Sequence, residues 1–223
     1  MSRNVAFALA LLLFAAPPSP AQTGSLANPA HWEADIRAFE AADAAAPPVK
    51  GGIVFIGSSS IRLWTSLATD FPGMPVLNRG FGGSQLPEVT TYVGRIVRPY
   101  QPRQVIVYCG GNDINAGRSA TDVLTDFQAL VRAIHAAGPG TRVAYISVAP
   151  NPARWSQIEI VKAANQAIKE WIATDPRLTF IDVFAAMLGP DGQPKPDIFV
   201  ADRLHMNAKG YAIWRAVVGP HLR

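Results

Sequence analysis

Four short segments of this 223-residue chain combine small, polar and glycine residues of the kinds that can support catalysis. The first three each follow an apolar run, and the fourth lies near the chain end. In chain order they read Gly57-Ser58-Ser59-Ser60, Asn78-Arg79-Gly80-Phe81-Gly82-Gly83-Ser84, Gly110-Gly111-Asn112-Asp113 and Asp202-Arg203-Leu204-His205. Because the functional loops of a parallel α/β sheet gather at the carboxyl ends of its strands, these segments can meet in one crevice.

Serine, histidine and aspartate are the residue types needed for nucleophilic attack on an acyl group. A serine hydroxyl is a weak nucleophile until a neighbouring base takes its proton. His205 is the natural base, because Asp202, three residues earlier, can turn back and accept a hydrogen bond from its Nδ1. Such a carboxylate fixes the imidazole tautomer and stabilises the imidazolium that forms.

Three hydrogen-bond donors in the same segments can stabilise the oxyanion of a tetrahedral intermediate. The N–H of a serine in the first segment lies at a predicted helix N-terminus, where negative charge is favoured. Gly83 offers a backbone N–H with no side chain in the way, and Asn112 offers a side-chain amide. Each donor of this type lowers the reaction barrier by roughly 3 kcal/mol.

Apolar runs and helical patterns alternate along the chain and predict the scaffold that positions these residues. The apolar runs barely alternate in polarity, as expected of strands covered on both faces of a parallel sheet, and they span Gly52–Gly57, Pro75–Asn78, Gln104–Cys109, Thr141–Val148 and Leu178–Val183. Helical patterns cover Ser119–Ala137, Ser156–Thr174 and Ala208–Val218, with Ser119 and Asn207 as predicted N-caps. The fold class is therefore predicted as α/β, a three-layer α/β/α sandwich.

The four segments resemble the signature blocks of the SGNH, or GDSL-like, hydrolase family. The motifs GSSSIRLW, NRGFGGS, GGNDI and DRLHMNAKGY occur in the order of that family and are similar to a bacterial GSSS-type branch of it. The resemblance implies a flavodoxin-like fold with a five-stranded parallel sheet. It also implies a nucleophile and first oxyanion donor at Ser59, further oxyanion donors at Gly83 and Asn112, and a triad completed by Asp202 and His205. We expect the reaction to need neither a metal nor an organic cofactor.

The sequence departs from the family pattern in its first segment. The family's Gly-Asp-Ser is Gly57-Ser58-Ser59 in this chain, so a serine stands in place of the acid. Because that aspartate is not a member of the triad, we expect the chemistry to survive. The spacing from Gly57 favours Ser59 over Ser58 and Ser60 as the nucleophile.

Other interpretations of the same residues stay open at this point. The serine-rich turn is also a good helix N-cap, and on a flavodoxin-like scaffold it can hold a phosphate or a flavin. A binding module of that kind leaves Asp202 and His205 without a role. An inactive carbohydrate-binding relative is a third interpretation. Arg154 and Trp155 follow the fourth predicted strand, and either line the crevice or form a solvated arginine beside a packed tryptophan.

The first residues have the layout of a secretory signal peptide. Arg3 precedes an unbroken run of 12 apolar residues, Val5–Ala16, which is too short for a bilayer that takes roughly 20. We expect a signal peptide over residues 1–21, a leader with one short helix around Asn28–Ala42 over residues 22–50, and the hydrolase domain over residues 51–223. The mature protein is then secreted or periplasmic.

Composition narrows the classes of partner. Hydrophobic residues make up 49% of the chain, enough to bury a sizeable core. The net charge is +4 and the basic residues are scattered, which argues against nucleic-acid binding and against a membrane-binding patch. The single cysteine, Cys109, excludes an intrachain disulfide and a zinc site built from several thiolates. We expect a small acyl-ester substrate, with acetylated carbohydrate as one candidate, while lysophospholipids and thioesters stay open.

Overall fold

A five-stranded sheet, parallel at every pairing, forms the centre of the computed structural model, which describes residues 28–223. Its strands are β1 (Ile53–Gly57), β2 (Val76–Gly80), β3 (Gln104–Tyr108), β4 (Arg142–Ile146) and β5 (Leu178–Ile181). Their order across the sheet is β2-β1-β3-β4-β5, which confirms the predicted flavodoxin-like arrangement. The signal peptide predicted over residues 1–21 lies outside the described residues.

Helices cover both faces of the sheet and bury it between two apolar layers. They are α1 (Glu33–Ala45), α2 (Ser59–Arg62), α3 (Leu67–Asp70), α4 (Leu86–Ile96), α5 (Gly111–Asn115), α6 (Ala120–Ala137), α7 (Ile158–Ile172) and α8 (Ala208–Val218). Helices α1, α4, α6 and α7 pack on one face, and α2, α3 and α8 pack on the other. Strand β1 shows the consequence, since Val54 and Ile56 enter the first layer while Ile53 and Phe55 enter the second. The predicted α/β/α sandwich is confirmed.

Capping residues set the starts of α6 and α8 as predicted, whereas α7 is shorter than predicted. Helix α6 begins as predicted, because the Ser119 hydroxyl accepts a hydrogen bond from the Asp122 N–H at 3.2 Å. Helix α8 begins after Asn207, whose side chain accepts from the N–H of Lys209 at 2.8 Å. The helix predicted over Ser156–Thr174 is shorter, because a 3₁₀ helix over Pro152–Gln157 precedes α7.

The segment predicted as a leader packs firmly on the sheet domain. Its helix begins later than predicted, with a 3₁₀ helix over Pro29–Trp32 leading into α1. Asp43 at the end of α1 accepts hydrogen bonds from Arg79 of β2 and from the Tyr100 hydroxyl. These contacts explain why β2 runs on to Gly80 rather than ending at Asn78, since they give the buried Arg79 side chain its partners.

Among residues 28–223, no helix combines the length and apolarity needed to cross a bilayer.

Gly57 lets β1 end directly in front of the three serines. Its φ of 129° is one that residues with a side chain rarely adopt, and a Cβ there would lie 1.9 Å from the Tyr108 carbonyl oxygen. We predict that Gly57→Ala lowers the free energy of unfolding by more than about 2 kcal/mol, because neither backbone can move without breaking the β1–β3 pairing.

Urea denaturation of Gly57→Ala beside Gly94→Ala checks this prediction. Gly94 lies within α4, and nothing stands within 4 Å of the position its Cβ would take. Alanine is the better helix former by up to about 1 kcal/mol, so Gly94→Ala should match or exceed the stability of the parent chain. Equal stability of the two variants would show that the backbone at Gly57 is not constrained as described.

Candidate active site

The carboxyl ends of β1, β2 and β3 lie side by side and bring three of the four segments together. Gly57, the last residue of β1, pairs with Gly80 of β2 and with Tyr108 of β3. The chain therefore leaves all three strands at the same edge of the sheet. The fourth segment, Asp202–His205, reaches this edge from the loop that precedes α8.

A continuous line of hydrogen bonds joins Ser59, His205 and Asp202. The Nε2 atom of His205 lies 2.8 Å from the Ser59 Oγ, although 146 positions separate the two residues in the chain. The Nδ1 atom of the same ring lies 2.6 Å from the Asp202 Oδ2. With its proton on Nδ1, the ring donates to the carboxylate and accepts from the hydroxyl. In this arrangement a histidine can take the proton of a serine hydroxyl.

The Asp202 carboxylate is held by the backbone that follows it. Its Oδ1 accepts hydrogen bonds from the N–H groups of Leu204 and His205, both at 2.9 Å. The pKa of Asp202 is lowered to about 2, chiefly because the backbone N–H of His205 donates a hydrogen bond to the carboxylate. Burial raises this pKa by a smaller amount. Asp202 is thus an anion at neutral pH. It does not cap α8, because Asn207 has that function.

Of the three consecutive serines, Ser59 is the one whose hydroxyl reaches His205. It is the first residue of α2, so its backbone N–H is one of those that a helix leaves without an internal acceptor. Ser58 precedes the helix and is 6% exposed. The Ser60 carbonyl accepts a hydrogen bond from the Tyr211 hydroxyl at 2.9 Å, which ties α2 to α8.

Gly83 lies next to Asn112, which lines the same cleft as Ser59. The Asn112 Nδ2 is 3.7 Å from the position that a Cβ on Gly83 would occupy. One hydrogen of that amide is donated to the Ser84 carbonyl at 3.1 Å, and the other has no acceptor among residues 28–223. Asn112, Ser59 and His205 line the same cleft. The structure therefore brings all five predicted site residues to one place.

Asp113, for which the sequence predicted no role, supports this arrangement through a buried contact. Its side chain is fully buried, and its Oδ1 accepts a hydrogen bond from the Leu86 N–H at 2.9 Å. This contact fastens the loop that carries Gly83 to the helix that carries Asn112. Burial raises the pKa of Asp113 to about 7. The only signal in the sequence was its place directly after Asn112.

The cleft beside Ser59 is small and is lined by both polar and apolar residues. Its cavity has a volume of about 30 Å³, and its apolar lining includes Tyr108, Val148, Met187, Phe199, Met206 and Trp214. Arg154 also lines it, whereas Trp155 faces a neighbouring groove together with Pro152 and Arg203. The crevice interpretation thus holds for Arg154 but not for Trp155. Within the described part of the chain, no three His, Cys, Asp or Glu side chains are grouped to hold a metal ion.

Comparison with known proteins gives one family and one fold. Residues 57–213 match the model of the GDSL-like Lipase/Acylhydrolase family. The chain is 26% identical over 173 residues to platelet-activating factor acetylhydrolase IB subunit alpha2 of Gallus gallus, covering 72% of this chain and 71% of the relative.

Two solved structures show the shared fold. A GDSL-like lipase from Bacteroides thetaiotaomicron is similar with a TM-score of 0.67 at 20% identity, covering 84% of this chain and 97% of that one. A carbohydrate esterase family 3 protein from Talaromyces cellulolyticus is similar with a TM-score of 0.59 at 19% identity, covering 78% of this chain and 95% of that one.

Proposed function

This chain belongs to the GDSL-like Lipase/Acylhydrolase family, and from that premise we propose that it is a serine esterase whose nucleophile is Ser59. In the proposal, His205 is the general base, and Asp202 orients the imidazole and stabilises its charged form. The observation that carries the proposal is the unbroken hydrogen-bond line from the Ser59 hydroxyl through the His205 ring to the Asp202 carboxylate. The line ends in a cleft that is open to substrate.

The proposed reaction has two acyl-transfer steps. Ser59 Oγ attacks the ester carbonyl carbon while its proton moves to His205 Nε2. The oxyanion accepts hydrogen bonds from the N–H groups of Ser59 and Gly83 and from the Asn112 amide. When the ester C–O bond breaks, His205 returns the proton to the departing alcohol. A water then attacks the acyl-enzyme with His205 again as base, and this step releases the carboxylic acid and restores Ser59.

The alternative of a phosphate- or flavin-binding module is not favoured by membership of a hydrolase family. It also leaves the hydrogen bond between Ser59 and His205 without a purpose. The finer placement in a GSSS-type branch of the family stays a prediction.

For the substrate, we propose an ester of a short acyl group on a carbohydrate alcohol. The cavity of about 30 Å³ beside Ser59 suits an acyl group of acetyl size better than a long chain. The neighbouring groove combines an aromatic ring, prolines and polar side chains, among them Trp155, Gln193 and Arg203, and such a lining suits a sugar ring. The carbohydrate esterase from Talaromyces cellulolyticus has the same fold.

On the pattern of residues 1–21, we propose a secreted or periplasmic location for the protein.

Hydrolysis rates on p-nitrophenyl esters from acetate to palmitate test this proposal, together with acetate release from acetylated xylan. We expect kcat/KM to fall at least about 10-fold between acetate and octanoate, because a longer chain must leave the cavity and meet water or clash with the residues that line it. We also expect measurable acetate release from xylan. Rates that rise toward palmitate would contradict the short-acyl assignment, and the Ser59→Ala chain supplies the background rate for every substrate.

A further inference from the structure

Arg154 is a half-buried cation that lines the cleft. The proposed reaction assigns it no role. It lies in the 3₁₀ helix Pro152–Gln157, where its own backbone departs from helical geometry with φ −123° and ψ 26°. Its N–H donates to the Asn151 side chain at 2.9 Å, and the preceding Ala153 N–H donates to the Arg203 carbonyl at 3.1 Å. The segment that carries this arginine is thus tied to the loop of Asp202 and His205.

The guanidinium has neutral partners rather than an acid. Within residues 28–223 no carboxylate forms an ion pair with it, and burial lowers the pKa of Arg154. Withdrawing an unpaired charge from water costs free energy, which the contacts of the guanidinium must offset. Its Nη1 donates to the Asn112 Oδ1 at 3.0 Å and to the Gly111 carbonyl at 3.1 Å.

These contacts hold the Asn112 carboxamide at both ends. The cation faces its oxygen, and the Ser84 carbonyl accepts from its NH₂ group at 3.1 Å. A 180° turn of the carboxamide would set the NH₂ group against the guanidinium and the oxygen against the Ser84 carbonyl. Both contacts would then be repulsive, so only one orientation is stable. In that orientation the second N–H of the amide is left for the cleft beside Gly83.

We propose that Arg154 is a positioning residue that fixes the orientation of the Asn112 amide and strengthens it as a donor to the oxyanion. A cation on the carbonyl oxygen of an amide draws electron density from its nitrogen, and the N–H groups then form stronger hydrogen bonds. The inference rests on the proposed function, since it needs Asn112 as an oxyanion donor. Arg154 itself need not touch the substrate.

A double-mutant cycle on p-nitrophenyl acetate, which carries no net charge, tests this proposal. The four chains are the parent, Arg154→Met, Asn112→Ala and the double variant. We expect Arg154→Met to lower kcat roughly 10- to 100-fold with little change in KM, which is less than the roughly 10²- to 10³-fold loss of a whole oxyanion donor. In the Asn112→Ala background, the same change should alter kcat less than about 2-fold, because the group through which the arginine acts is gone.

Equal losses in both backgrounds would overturn the proposal and show that Arg154 acts on the substrate or on the fold. A rise in KM at constant kcat would do the same. Melting temperatures identify any loss of folding, and Arg154→Lys repeats the cycle with the charge retained if Arg154→Met is unstable. Full activity of Ser59→Ala or Asn112→Ala would instead bring down the proposed function, so the two failures are distinguishable.

Discussion

Ser59→Ala should lower kcat for p-nitrophenyl acetate by about 10⁴-fold or more and leave the melting temperature within a few degrees of the parent chain. The expected loss is large because no other hydroxyl is hydrogen-bonded to the His205 ring within the described residues. The residual rate over water would come from binding and from the oxyanion donors alone. The fold should persist, because the substitution removes one hydroxyl from a partly exposed position at the start of α2.

Ser60→Ala is the matched control for this substitution. Ser60 lines the same cleft one residue away, and its contact to α8 uses the backbone carbonyl, which alanine keeps. We expect its kcat to stay within about 10-fold of the parent value, as for a residue that does not take part in the chemical step. If Ser59→Ala kept its esterase activity and Ser60→Ala lost it, Ser60 rather than Ser59 would be the nucleophile.

His205→Ala should produce a loss of similar size, about 10⁴-fold in kcat. Without the imidazole the Ser59 hydroxyl has no base at 2.8 Å, and the negative charge of Asp202 loses the ring that it orients. The two losses should not add, since base and nucleophile act as one unit, so Ser59→Ala/His205→Ala should be about as slow as either single variant.

His221→Ala provides the control for loss of a histidine. This residue lies in the 3₁₀ helix after α8, and its backbone carbonyl, which alanine keeps, accepts a hydrogen bond from the Gln104 side chain at 2.9 Å. Its kcat should equal that of the parent chain. A His205→Ala chain that keeps more than about a tenth of the parent kcat would mean that another group takes the proton of the nucleophile.

The scaffold followed from the sequence because its physical causes are local. Both faces of the sheet are covered, so the sequences of β1, β3 and β4 are nearly continuous apolar runs, which can be recognised without tertiary information. The start of α6 was equally readable, since Ser119 and Asp122 form their reciprocal contacts within a single helical turn. The predicted end of β2 at Asn78 was wrong because the true end, Gly80, depends on contacts with distant residues. Arg79 ends the apolar run in the sequence, and its buried position depends on Asp43 and Tyr100, which come from distant parts of the chain.

The site followed from residue types and from the family resemblance rather than from spacing alone. Ser59 and His205 are far apart in the sequence, and only the sheet topology brings their side chains to 2.8 Å. The supporting contacts were not predictable in the same way. An arginine 42 positions after Asn112 carries no local sign that it will donate to that amide. Asp113 likewise gains its buried contact to Leu86 through tertiary packing, which periodicity does not report.

Covalent labelling with a serine-directed phosphonate, followed by peptide mass spectrometry, tests the central claim most directly. The account predicts one phosphonyl group per chain, attached to the oxygen of Ser59 and not to Ser58 or Ser60, with esterase activity lost in proportion to labelling. It also predicts no labelling of the Ser59→Ala chain. Attachment at a different residue, or full labelling of Ser59 with esterase activity intact, would contradict it.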